Sequence, residues 1–201
     1  MTEIESSVDD LLMSDEQANN LTYFAFAKQH NAEPALAPTK ASVGELPDVL
    51  AGRYHLERLL GAGGMGAVYR ARDLLHEQFG DPDPYIALKI LSEEFAESPD
   101  ASALLYSEFA LTRRLRHDNV LRPHTFEVDT DCQRAFITME LMRGLTLDKL
   151  LCERPLGLPW KELRDIALPL LDALAYAHSR GVLHGDMKPS NVMLSEEGVR
   201  L

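Results

Sequence analysis

His184-Gly185-Asp186-Met187-Lys188-Pro189-Ser190-Asn191 stands ten residues before the C-terminal Leu201. Its spacing is H-x-D-x-K-x-x-N. The Asp186 carboxylate can accept a hydroxyl proton or orient an attacking hydroxyl. The Lys188 ammonium can stabilise negative charge on a group in transfer. The Asn191 amide oxygen is a hard ligand of the kind Mg²⁺ takes. His184 is expected to pack and hydrogen-bond beneath this loop rather than to exchange protons with a substrate. Chance explains the octet poorly, and the elements upstream of it explain it still less as an accident.

Upstream, Gly61-Ala62-Gly63-Gly64-Met65-Gly66-Ala67-Val68 lies between two strand-like runs. Glycines let a backbone approach phosphates closely and aim N–H groups at them. Alone, G-x-G-x-x-G also describes a flexible hairpin. The strand that follows it argues against a dinucleotide-binding fold, which needs a helix there. Ile86-Ala87-Leu88-Lys89 ends an apolar run on a lysine. Such a lysine is commonly solvent-facing; its functional alternative is a cation for the α- and β-phosphates of a nucleotide. Glu108 sits in the helix after that strand. A lone glutamate on a helix is usually solvated, but its spacing to Arg116-His117-Asp118-Asn119-Val120 makes it the expected partner that holds Lys89.

The chain around these motifs reads as strands, then helices. Tyr54 to Leu60 partly alternates, as a half-buried strand does. Ala67 to Arg72 is a second strand and Tyr85 to Leu91 a third, with a turn at Gly80-Asp81-Pro82-Asp83-Pro84. Ala101 to Arg116 has helical periodicity. Thr125 to Val128 and Ala135 to Leu141 are two further strands about Asp129-Thr130-Asp131. From Leu145 the chain turns helical, and the strongest helix is Trp160 to Ser179. Pro169 should kink it and Gly181 should end it. Five strands with one inserted helix, followed by helices, give an α+β fold with two lobes.

Residues 1 to about 50 differ in composition. Nine acids (Glu3, Glu5, Asp9, Asp10, Asp15, Glu16, Glu33, Glu45 and Asp48) face only Lys28 and Lys40. One short helix capped by Ser14 and Gln17 is expected there, then a linker at Pro34-Ala35-Leu36-Ala37-Pro38. A mobile tail and a docking segment both fit this composition. The net charge of −12 argues against nucleic acid as a partner. The two cysteines, Cys132 and Cys152, make no metal-binding or disulfide pattern. They fit a reducing, cytoplasmic setting. An acidic N-terminus does not resemble a signal peptide, and no run reaches the roughly 20 apolar residues of a membrane span.

Taken in order, these motifs identify the stretch from about residue 53 to 201 as similar to the first two-thirds of a bacterial, eukaryotic-like (Hanks-type) serine/threonine protein kinase domain. The resemblance implies a bilobal kinase-like fold. Residues 53–143 would form a complete N-lobe (a five-stranded antiparallel sheet plus one helix) and the hinge. Residues 144–201 would form only the first part of the helical C-lobe, and residues 1–52 an acidic tail. It implies transfer of the ATP γ-phosphate to protein Ser or Thr hydroxyls with Mg²⁺. Asp186, Lys188 and Asn191 would be catalytic, and Asn191 would hold the metal. The ATP site would use Leu60, Gly61, Ala62, Gly63, Gly64, Met65, Gly66, Val68, Ala87, Lys89 and Glu108. Met139-Glu140-Leu141-Met142 resembles the gatekeeper and hinge, where backbone groups of Glu140 and Met142 would bind adenine. Met193 would lie beneath the base. Val192–Leu194 and Val199–Leu201 resemble two short strands about Glu196-Glu197-Gly198.

Two departures from the family pattern stand out. Gly185 replaces the Arg of H-R-D, which in the family pairs with a phosphorylated activation loop. The given sequence also ends at Leu201, where the family continues into D-F-G, whose Asp binds Mg²⁺. The 201-residue chain is therefore expected to transfer phosphate poorly, and the apolar side of the Trp160 helix is expected to lack a packing partner. Two other functions compete. One is a non-catalytic, pseudokinase-like scaffold. The other is a small-molecule phosphotransferase of the aminoglycoside or choline kinase type, where H-G-D is frequent but Lys188 and the full glycine loop fit poorly.

Overall fold

The Tyr85–Leu91 strand is apolar at almost every position, which marks a strand buried on both faces. In the computed structural model it is the fourth strand, β4, near the middle of a six-stranded antiparallel sheet. The structure describes residues 46–63, 66–92, 96 and 100–201. The helix expected near Ser14 and the linker after it lie outside the described residues.

The sheet has the order β1-β2-β3-β4-β6-β5. Its strands are β1 (Val49–Leu50), β2 (Tyr54–Gly63), β3 (Gly66–Asp73), β4, β5 (Pro123–Asp129) and β6 (Arg134–Glu140). The expected five-stranded sheet therefore gains one strand. Two residues are too short to show a period, yet Leu50 is fully buried and Val49 pairs with His55. A further short helix, α1 (Leu74–Gln78), was also illegible. It exists because Asp73 caps it, accepting from the backbone N–H groups of Leu75 and His76.

Period-2 alternation sorts the residues of β4 onto two faces. Ile86, Leu88 and Ile90 join Leu50, Tyr54, Ala71 and Phe136 in one core. Leu91 joins Ile137, Ala135 and the helix α2 (Ala101–Thr112) in the other. The buried residues of α2, Ala101, Leu105 and Phe109, recur every four positions and form the stripe that meets the sheet. The helix is four residues shorter than its sequence period suggests. Tight turns at Arg114 and Leu115 end it, and Leu115 packs instead with Val120, Ala173 and Ala177.

Beyond β6 the chain forms β7 (Gly144–Thr146), α3 (Leu147–Glu153) and α4 (Trp160–Ser179). After a single 3-10 turn at Pro189–Asn191 come β8 (Met193–Ser195) and β9 (Gly198–Arg200), which form a second sheet with β7. The helix α4 runs unbroken through Pro169 and ends as its sequence indicates. Gly181 N–H donates to His178 O and Val182 N–H to Ala177 O, a Schellman closure. Its inner residues Leu170, Ala173 and Ala177 are buried, whereas Trp160 and Leu171 are 74% and 60% exposed. That apolar outer side was expected from the sequence.

One ion pair holds the start of the sheet. Arg53 donates from Nε and Nη2 to the two oxygens of Asp73 at 2.9 and 2.7 Å. Burial by itself would raise the Asp73 carboxyl, but the Arg53 and His76 donors outweigh it and hold the pKa below the usual carboxylate value. A depressed folded pKa adds stability that is complete above the unfolded value near 4 and is lost as pH falls through the folded one. Asp73→Asn is expected to cost about 2 kcal/mol at neutral pH and to flatten the acid limb of the stability curve. Urea unfolding of both proteins across the acid range checks this, and parallel curves would refute it.

Candidate active site

Cross-strand register builds the first half of the site. Lys89 on β4 lies opposite Val68 on β3 and Ile137 on β6, and Ala87 lies opposite Met139. Val68, Ala87, Lys89 and Met139 thus share the sheet face that α2 covers. There Lys89 Nζ donates to both oxygens of Glu108, at 2.6 and 2.8 Å. The side chains are 22% and 20% exposed, so the pair is partly desolvated and open on one side. The sequence pairing of Lys89 with Glu108 is reproduced in the geometry.

The glycine segment spans the end of β2 and the start of β3. Gly64 and Met65 lie outside the described residues. A register shift between Leu59 and Gly61 leaves Leu60 out of the ladder, half-buried, where a bulge can re-aim a side chain. Gly61, Ala62 and Gly63 continue the strand toward the turn. A Cβ at Gly66 would stand 2.1 Å from Ile90 O on β4, so the packing of β3 on β4 requires glycine there. No Cβ contact within 4 Å would arise at Gly61 or Gly63, so the space beside them is open.

The second half is the loop 184–191. Gly185 has φ +73°, the left-handed region that glycine enters at little cost. Around it the Asp186 N–H donates to His184 Nδ1 at 3.3 Å. That nitrogen is therefore an acceptor, and burial pushes the imidazole pKa down, which keeps the ring neutral. This matches the packing role expected for His184. Asp186 Oδ2 accepts from Lys188 Nζ at 2.6 Å and from Asn191 Nδ2 at 3.1 Å. Asn191 Nδ2 also donates to Asp186 O at 2.8 Å. Burial would raise the Asp186 pKa, but Lys188 and Asn191 outweigh it and hold it below the ordinary value.

Burial is the largest effect on the His184 ring and lowers its pKa; Asp186 and Glu108 act against it, and Lys188 and Lys89 with it. Among the described residues there is no group of three or more His, Cys, Asp or Glu that could hold a metal ion. The amide oxygen of Asn191 is a hard donor of the kind Mg²⁺ takes.

In the hinge the Glu140 N–H donates to Arg122 O at 3.1 Å. Residues 141–143, including Met142, belong to no strand or helix. Met193 opens β8, half-buried, with Arg200 as its cross-strand partner. The sequence did not reveal that the Glu140 side chain binds Arg200, because 60 residues separate the two. Nor did it reveal the left-handed backbone at Gly185.

Comparison with known proteins agrees with this geometry. Residues 54–201 match the family model described as the protein kinase domain. The chain is 35% identical over 150 residues to the serine/threonine-protein kinase PknH of Mycobacterium bovis, covering 73% of this chain and 23% of that protein. It is 34% identical over 177 residues to CBL-interacting protein kinase 19 of Oryza sativa subsp. japonica, covering 86% and 32%. A crystal structure of the Mycobacterium tuberculosis PknI kinase domain superposes with a TM-score of 0.61 at 29% identity, covering 83% of this chain and 62% of that one. The chain thus spans about a quarter to a third of the length of these two curated relatives. With the match extending over strands β2 to β6, the loop 184–191 and the β8–β9 hairpin, the chain belongs to the protein kinase family, in its bacterial Hanks-type serine/threonine branch.

Proposed function

We propose that this chain carries the nucleotide site and catalytic loop of an ATP-dependent kinase acting on protein Ser and Thr hydroxyls. The observation that carries the reading is the pairing of Lys89 with both carboxylate oxygens of Glu108, together with the Lys188 and Asn191 contacts that hold the Asp186 carboxylate. Adenine enters against Leu60, Val68, Ala87, Met139 and Met193, with the Glu140 carbonyl and a Met142 backbone group at its edge. Lys89, fixed by Glu108, anchors the phosphates together with the glycine-rich segment Gly61, Ala62, Gly63, Gly64, Met65 and Gly66. Asp186 orients the acceptor hydroxyl. The new bond forms between that oxygen and the γ-phosphorus as the bond to the β-phosphate oxygen breaks, and the hydroxyl proton passes to Asp186. Lys188 neutralises charge on the phosphoryl group in transfer. Asn191 would hold Mg²⁺ through its amide oxygen, and the ion would offset the charge of the phosphates.

In this reading residues 53–143 are the N-lobe and hinge, residues 144–201 belong to the C-lobe, and residues 1–52 are an acidic tail. A cytoplasmic setting is supported by two unpaired cysteines, Cys132 and Cys152. No helix among the described residues is long and apolar enough to cross a membrane.

The site is tested by nucleotide binding. Lys89→Met is expected to weaken ATP about 10- to 100-fold, the loss of a charge-assisted hydrogen bond, while leaving adenosine affinity unchanged. Calorimetric titration of the purified chain with both ligands reads the difference. Equal affinity of wild type and variant for ATP would remove Lys89 from the phosphate site.

A further inference from the structure

We propose that Glu140 and Arg200 form a charged tie that sets the spacing between the hinge and the floor of the adenine slot, making both positioning residues for the nucleotide base. The inference rests on the nucleotide site proposed above.

Glu140 ends β6 at the hinge, and its carboxylate is fully engaged. Oε1 accepts from the Arg122 N–H at 2.8 Å and Oε2 from Arg200 Nη1 at 2.5 Å. Arg200 stands on β9 directly across from Met193, the residue placed beneath the base. The tie therefore joins the element that reads the edge of adenine to the hairpin that supports its face. Its side chains are 24% and 14% exposed. The second partner of Arg200, Glu197, is farther away at 3.3 Å and is 73% exposed, so the Glu140 contact is the enclosed one.

The surrounding backbone closes a ring. Leu121 N–H donates to Leu201 O, Leu201 N–H to Asn119 O, and Asn119 Nδ2 to Val199 O. This pins β9 to the segment entering β5, and Arg122 on that segment holds Glu140 through both backbone and carboxylate contacts. The covalent route from β6 to the hairpin sheet is the irregular stretch 141–143. Short irregular connections of this kind absorb backbone rotation. The guanidinium fork fixes distance and direction as a lysine cannot. A half-buried ion pair is a weak source of stability compared with an apolar pair of equal volume, so its contribution here is geometric.

The test is a double-mutant cycle on binding by the purified 201-residue chain. Adenosine and ATP are titrated into wild type, Glu140→Gln, Arg200→Gln and the double variant, with melting temperature recorded for each. Each single change is expected to weaken both ligands about tenfold, because the competent slot is then populated only part of the time. The double variant should be no weaker than the worse single. Lys89→Met, at the phosphate end, should instead weaken ATP alone. Wild-type affinity in the single variants, or losses that add in the double, would overturn the tie while leaving the nucleotide site intact. Failure of the wild type to bind either ligand would overturn the nucleotide reading and the tie with it. Should the glutamine variants not fold, Arg200→Lys keeps the charge and removes the fork. It is expected to lose adenosine affinity about threefold or more, and unchanged affinity would overturn the proposal.

Discussion

Asp186→Asn, in the gene product at its native length, is expected to lower phosphate transfer from Mg-ATP to protein Ser and Thr by about 10²- to 10⁴-fold. The affinity for ATP should stay nearly constant. Asp186 is held by Lys188, by Asn191 and, through its backbone, by His184. Asparagine preserves the shape and the Asn191 contact with the backbone carbonyl, so the loop should keep its path. It cannot accept the hydroxyl proton. The Asp186 pKa lies below the ordinary carboxylate value, against the effect of burial, because Lys188 and Asn191 donate to it. The group is therefore ionised at neutral pH, as the proposed role of an orienting acceptor requires. Its contribution should be constant above the carboxylate range and fall only in acid. The loss should appear in kcat with little change in KM for ATP, since the proposed roles put Asp186 at the acceptor hydroxyl and Lys89 at the phosphates. Radiolabel transfer to a generic protein substrate reads this. A loss below about tenfold would take Asp186 out of the chemistry. A native-length wild type that binds ATP and phosphorylates nothing would favour the scaffold function instead.

Much of this site is local in sequence, which is why it was legible. The loop 184–191 folds back on itself within eight residues, and its hydrogen bonds join Asp186 to His184, Lys188 and Asn191. The strand Tyr85–Leu91 and the helix Trp160–Ser179 have the bounds that their apolar patterns give. Once β4 is placed, alternation decides that Ala87 and Lys89 share a face. Three of the shortest elements, β1, α1 and β7, left no such trace. β1 is visible only through the burial of Leu50, α1 through the Asp73 cap and β7 through its pairing with β8. The end of α2 was misread because Leu115 keeps the helical spacing while serving another cluster. Long-range polar contacts carry no periodicity at all, so the Glu140–Arg200 tie and the Arg53–Asp73 pair could only be found in three dimensions.

Phe136→Ala is expected to destabilise the protein by about 3–5 kcal/mol, the usual cost of truncating a buried aromatic. Phe136 is fully buried and meets Tyr54 edge-on, with ring centroids 5.6 Å apart. It packs with Leu50, Ala71, Ile86, Leu88 and Ile90, and it pairs in register with Ile90 on β4 and Glu127 on β5. Removing the ring leaves a cavity among residues from β1 to β6, none of which can collapse without moving a strand. For a chain of this size that corresponds to a fall in melting temperature of roughly 10 °C. Phe79→Ala is the contrasting change. That ring is 82% exposed beside α1, and its loss should stay within about 0.5 kcal/mol. Thermal melts of the two variants therefore separate a core phenylalanine from a surface one. The neighbour of Phe136, Ile137, points to the opposite face and lies across from Lys89. Below its lowered melting temperature, the Phe136 variant should thus bind ATP as the wild type does. A matching loss of ATP affinity would mean that the two faces of β4 are not independent, and that the buried core behind Lys89 helps to set its position over the phosphates.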